Sequence, residues 1–136
     1  MNNFIHQDLT EKIIKCYFKV YNKLGYGFLE KVYENALFYE LKNIGLYCEK
    51  QKAIKVYYDS VLVGEYYADI IVNDSVILEL KAAENIAEEH EFQLINYLKA
   101  TNIEIGLLLN FGKQPQFKRK IFTNDRKNLI ESNKDL

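Results

Sequence analysis

Three charged side chains sit in a stretch whose other positions are apolar. The run Ala68-Asp69-Ile70-Ile71-Val72 is followed by the tight pair Asn73-Asp74, and then by Val76-Ile77-Leu78-Glu79-Leu80-Lys81. The pattern is that of two apolar strands joined by a turn. Strand side chains repeat every two residues, so Glu79 and Lys81 share one face while Leu78 and Leu80 pack on the other. A buried charge is costly unless it is paired or holds a metal. Two carboxylates and an ammonium at the ends of adjacent strands form a compact site for a hard divalent cation and an attacking water.

Helices and strands must bring these groups together. Asp8 and Glu11 have the spacing of a capping box, and Ile13, Ile14, Tyr17, Val20, Tyr21 and Leu24 follow on one helical face that Gly25 ends. Lys12, Lys15, Lys19 and Lys23 form the opposite stripe. A second helix is expected from about Leu29 to Ile44. Residues Ala53–Tyr58 and Val61–Val72 read as a hairpin around Asp59-Ser60, and Val76–Lys81 is the next strand. Helical spacing returns over Glu88–Ala100. Ile103–Phe111 has the length and apolarity of a buried strand, and Phe117–Phe122 those of an edge strand. The expected order is ααβββαββα: an α/β chain bordering on α+β, with a mixed central sheet flanked by helices.

The chain of 136 residues is read as one domain, 1–136, with a short polar tail from about residue 123. A net charge of −1 argues against a dedicated nucleic-acid coat protein, whose binding needs a broad basic footprint. Cys16 and Cys48 are too few for a disulfide framework and lack metal-type spacing, so reduced thiols in a cytoplasmic protein are expected. Neither cysteine has a histidine partner in the motifs, so covalent catalysis is not indicated. No apolar run is long enough to span a membrane.

Four features occur in chain order: Gly27, Glu30 and Tyr33 as GxxExxY, then Asp69, then Glu79-Leu80-Lys81 as ExK, then Gln93 and Tyr97 as QxxxY. Together they resemble the GxxExxY family of the PD-(D/E)XK nuclease-like superfamily, over about Ile13 to Phe122. A lone ExK is common by chance; the ordered set is far more specific. The resemblance implies a restriction-endonuclease-like core. It further implies that Asp69 and Glu79 bind Mg²⁺ (or Mn²⁺), with the Leu80 carbonyl as a further oxygen ligand. Glu30 would support a second ion or hold one of its waters, and Lys81 would orient the attacking water and offset charge on the phosphate.

Around this centre, Gln93 and Tyr97 share a helix face that His90 joins, and the resemblance places the first two near the metal as contacts to nucleic acid. The plainer reading of Tyr97 is a packed aromatic, and of His90 a solvated histidine. Tyr33, one turn from Glu30, is placed to orient it or to fill the core. Gln51 precedes the first long strand and is a candidate to face the cleft. Lys118 and Arg119 are candidates for phosphate contacts, although cations also protect an edge strand from aggregation. Two functions stand. The first is a metal-dependent nuclease hydrolysing nucleic acid, DNA first, by a metal-activated water. The second is a non-catalytic nucleic-acid- or partner-binding module with the same fold. A homodimer is a further expectation.

Overall fold

The computed structural model describes residues 5–128. Two helices, α1 (Gln7–Leu24) and α2 (Glu30–Asn43), precede β1 (Cys48–Tyr58), β2 (Val61–Val72) and β3 (Val76–Lys81). Helix α3 (Glu88–Lys99) leads to β4 (Ile105–Phe111) and β5 (Pro115–Ile121), with a short 3-10 turn at Asn124–Arg126. The strands form one sheet in the order β1-β2-β3-β4-β5. Only β3 and β4 are parallel, and α3 supplies the crossover that parallel neighbours require.

Alternation along the strands feeds two cores. On one face, Ile70, Val72, Leu78, Leu80 and Leu107 meet Ile13, Tyr17, Val20, Leu37 and Leu41 of α1 and α2. On the other, Ala68, Ile71, Ile77 and Leu108 meet Leu94, Tyr97 and Leu98 of α3. Five of the six β3 residues are buried, as expected of a central strand covered on both sides. No helix among the described residues is long and apolar enough to cross a membrane.

Several element boundaries differ from the sequence reading. β1 starts at Cys48, because Cys48, Glu49 and Lys50 pair with Val72, Ile71 and Ile70. Their own composition is polar, and the partner strand rather than local propensity makes them β. Helix α1 starts after His6, whose φ of 55° is left-handed, and no side chain caps it. Glu11 instead receives Gln7 Nε2 at 3.1 Å, so the Asp8–Glu11 capping box does not form. β5 is an edge strand as expected, but begins at Pro115. Of the expected tail helix, only the 3-10 turn lies within the described residues.

Three features hold the segments around β3. Both residues of Asp59-Ser60 and of Asn73-Asp74 have positive φ, as in primed hairpin turns; the first pair joins Tyr58 and Val61 directly, and the second adds Ser75 before the Val72↔Val76 pair. The β1–β2 hairpin is paired from Cys48↔Val72 to Tyr58↔Val61, while β2 pairs with β3 only from Val72↔Val76 to Ile70↔Leu78. A two-stranded ribbon therefore projects past the end of the β2–β3 ladder. Beyond Lys81 the chain is clasped to β4: buried Asn110 accepts the Ala83 N–H at 3.0 Å and donates to the Ala83 carbonyl at 2.9 Å.

Gly112 completes that clasp. A Cβ there would sit 2.2 Å from the Ala83 carbonyl oxygen, a backbone atom that cannot rotate away. Gly112→Ala is expected to cost about 1–3 kcal/mol, the usual range for overpacking, read by urea denaturation. Because it displaces the segment directly after Lys81, it should also reduce any activity that depends on Lys81.

Candidate active site

The carboxylates meet where β2 and β3 part. Continuing the β2–β3 register would set Asp69 opposite Glu79, but the ladder ends one pair earlier, at Ile70↔Leu78. Each carboxylate takes up a backbone N–H that the parting strands leave free. Asp69 Oδ2 accepts the Leu80 N–H at 2.7 Å, and Glu79 Oε2 accepts the Asp69 N–H at 3.0 Å. These charge-assisted bonds fix both side chains to backbone. Asp69 therefore lies within β2 rather than at its end; what ends there is the pairing.

The environment is hostile to two negative charges. Glu79 is 4% exposed, and burial, followed by the charge of Asp69, pushes its carboxyl up to about 8, with Glu30 adding to the rise. Burial also raises Asp69, the Leu80 hydrogen bond opposes it, and the charge of Glu34 raises it further. Half-buried Lys81 lowers both. A divalent cation fits this donor set: hard oxygens, excess negative charge and a single nearby ammonium. No group of three or more His, Cys, Asp or Glu forms a ready-made cage among the described residues. Mg²⁺ suits such a sparse set, because it usually keeps several waters and takes only one or two carboxylates.

Helix α2 contributes two acids, four residues apart on one face. Glu30 is exposed and lines a cleft of about 640 Å³ between the Tyr26–Leu29 loop and Ala82–Glu84. Its charge reaches Glu79, without a hydrogen bond to the pair. Glu34 is 4% exposed, receives Lys31 Nζ at 2.9 Å and Gln51 Nε2 at 2.9 Å, and was not singled out from the sequence. Its spacing from Glu30 was the available signal.

Gln51 joins Glu34 to Asp69. Its Nε2 lies 2.9 Å from Glu34 Oε1 and 3.4 Å from Asp69 Oδ1. The residue interrupts the β1–β2 ladder between Lys50↔Ile70 and Lys52↔Ala68, with φ of 51°. A left-handed backbone costs a non-glycine residue about 1–2 kcal/mol, and such strain persists where surrounding structure holds it. Gln51→Gly should therefore be more stable than Gln51→Ala by about 1 kcal/mol in urea denaturation. Both variants lose the amide, and their activities should fall together.

The remaining candidates divide by position. Tyr97 is buried: burial, then the charges of Glu79 and Asp69, push its hydroxyl up to about 12, and Gln93, one turn away on α3, opposes the rise. Tyr33 serves the α1–α2 loop instead of Glu30. Its hydroxyl donates to the Gly25 carbonyl at 2.6 Å and accepts the Phe28 N–H at 3.2 Å, with its ring stacked 4.3 Å from Phe111. His90 Nδ1 accepts the Ala87 N–H at 3.3 Å, at the start of α3. Lys118 and Arg119 lie on β5, separated from β3 by β4. Lys118 is exposed, whereas Arg119 donates from Nη2 to the Ile5 carbonyl at 2.6 Å and ties down the lead into α1.

A mixed five-stranded sheet that parts around an Asp–Glu pair, with lysine two residues on, defines a nuclease-type fold. The chain belongs to the PD-(D/E)XK nuclease superfamily, whose model matches residues 7–121. The crystal structure of SSO0001 is similar in fold, with a TM-score of 0.55 at 19% identity, over 77% of this chain and 55% of that one. The chain thus spans about half the length of that protein. No curated protein matches the sequence.

Proposed function

We propose that the protein is a divalent-metal-dependent nuclease of the GxxExxY type that hydrolyses phosphodiester bonds in nucleic acid, DNA first. The observation that carries this reading is the pairing of half-buried Asp69 with buried Glu79, each held by the other strand's backbone, with Lys81 on the Glu79 face. Asp69, Glu79 and the Leu80 carbonyl would hold Mg²⁺ or Mn²⁺, and Glu30 stands at the cleft rim for a second ion. When bound, the ion supplies positive charge against the scissile phosphate and makes water a stronger nucleophile at neutral pH.

The other steps belong to the chain's own side chains. Lys81 places an ammonium where negative charge grows on the phosphate. The Gln51 amide, held by Glu34 behind it, steadies the Asp69 carboxylate, and Tyr97 packs on the α3 side of the pair. The test is cleavage of labelled single-stranded, duplex and branched DNA and RNA with Mg²⁺, Mn²⁺ or EDTA. Metal-dependent cutting supports the reading. Binding without cutting under every metal condition would replace it with the non-catalytic module.

A further inference from the structure

The projecting ribbon and α3 enclose a second groove, of about 500 Å³, that shares Tyr97 with the carboxylate centre. Its floor is aromatic and its sides carry amides. Tyr66 stands 5.6 Å from Tyr97, ring centre to ring centre, while Glu89, Phe92, Gln93, Asn96 and Lys99 line the helix side. Tyr66 is 49% exposed and Phe92 60% exposed, a large uncovered aromatic area for one short groove. The two side-chain amides present donors and acceptors of the kind that read a base edge, and Lys99 supplies a cation at the rim.

We propose that this groove is a nucleotide-base site, receiving an unpaired base of the strand whose backbone lies at Asp69 and Glu79. The proposal rests on the nucleic-acid reading of that centre and names its substrate class: a single strand, or a duplex with an unpaired end or flap. Aromatic faces accept any base by stacking, whereas a base inside a duplex presents no free face. The groove adjoins the centre at Tyr97, which lines it and whose hydroxyl feels the charge of Glu79 and then Asp69. The sheet geometry sets the two side by side, because the β2–β3 ladder ends at Ile70↔Leu78 and β2 carries Tyr66 and Gly64 on as the opposite wall of the groove.

Two substitutions probe the site without touching the carboxylates. Phe92→Ala removes a stacking face from an exposed position. Gly64→Val fills the groove: a Cβ there meets only ordinary contacts, 3.5 Å from Tyr66 and 3.8 Å from Val56. The measurement is binding of the full chain to oligonucleotides carrying 2-aminopurine, with Ca²⁺ replacing Mg²⁺ to suppress cleavage. Anisotropy reads affinity and quenching of the base reads stacking. The arms are single-stranded DNA, single-stranded RNA, blunt duplex, and duplex with a single-stranded tail.

Single strands and the tailed duplex should bind at least about tenfold tighter than the blunt duplex, with the probe quenched. Either substitution should weaken single-strand binding about tenfold or more and remove the quenching, leaving blunt-duplex binding unchanged. The DNA and RNA arms show which sugar the site takes. Equal or better binding of blunt duplex, indifference to both substitutions, or no binding at all would overturn the proposal. So would sedimentation showing that a second copy of the chain covers the groove and that Phe92→Ala releases it. Because the readout needs no cleavage, a base site without nuclease activity is distinguishable from a nuclease without a base site.

Discussion

Lys81→Ala is expected to lower metal-dependent cleavage by roughly 10²–10³-fold, the loss typical of removing one preorganised electrostatic group from a transition state. Lys81 lies on the Glu79 face of β3, and its charge lowers both Glu79 and Asp69. Its removal withdraws the ammonium from the phosphate and also makes the carboxylates harder to ionise, so metal affinity should fall alongside the chemical rate. The fold should survive, because the half-buried Lys81 side chain belongs to neither apolar core. Single-turnover cleavage at saturating Mg²⁺, set beside thermal melting, separates these effects. Near-normal cleavage by the variant would remove Lys81 from the mechanism.

The second large effect links pH, metal and stability. Glu79 is raised in the folded protein to about 8 from an ordinary 4.5, so the native state holds a proton that the unfolded chain releases. Its stabilising contribution is complete below about pH 4.5, is lost progressively as pH rises, and is gone above about 8. Asp69 shifts in the same direction. For Glu79 the span amounts to about 5 kcal/mol by linkage. In EDTA the melting temperature should therefore fall between pH 5 and pH 8.

Divalent metal reverses that trend by favouring the ionised pair, so added Mg²⁺ or Mn²⁺ should raise the melting temperature far more at pH 8 than at pH 5. Glu79→Gln keeps an acceptor for the Asp69 N–H and removes the charge. It should melt higher than wild type at pH 8 in EDTA and respond little to metal. A wild-type melting curve indifferent to pH and metal together would count against the carboxylate pair as the metal site.

The strand run Val61–Lys81 was legible because apolar and aromatic residues fill it and the turn pairs Asp59-Ser60 and Asn73-Asp74, which take positive φ, bound its strands. The apolar stripe of α1 and the uninterrupted apolar run of β4 were readable for the same reason: burial on one or both faces is written directly into residue type. Glu34 was not legible. A glutamate beside a core tyrosine looks like any solvated helix position until β1 lies against α2 and Gln51 reaches it. Arg119 carries the opposite lesson, since its type suggested phosphate while the fold commits it to the Ile5 carbonyl.

The sequence by itself determined which elements form, the order in which they follow, and the Asp69, Glu79 and Lys81 set, because periodicity and charge in apolar runs are local properties of the chain. Only the tertiary structure decided that β2 parts from β3 at Asp69, that Gln51 adopts a left-handed backbone to join Glu34 to that aspartate, and that Tyr66 and Phe92 line one groove. Those relations depend on where strand pairing stops and which helix covers which face. Such choices are made by packing between segments distant in the chain, and no single segment encodes them.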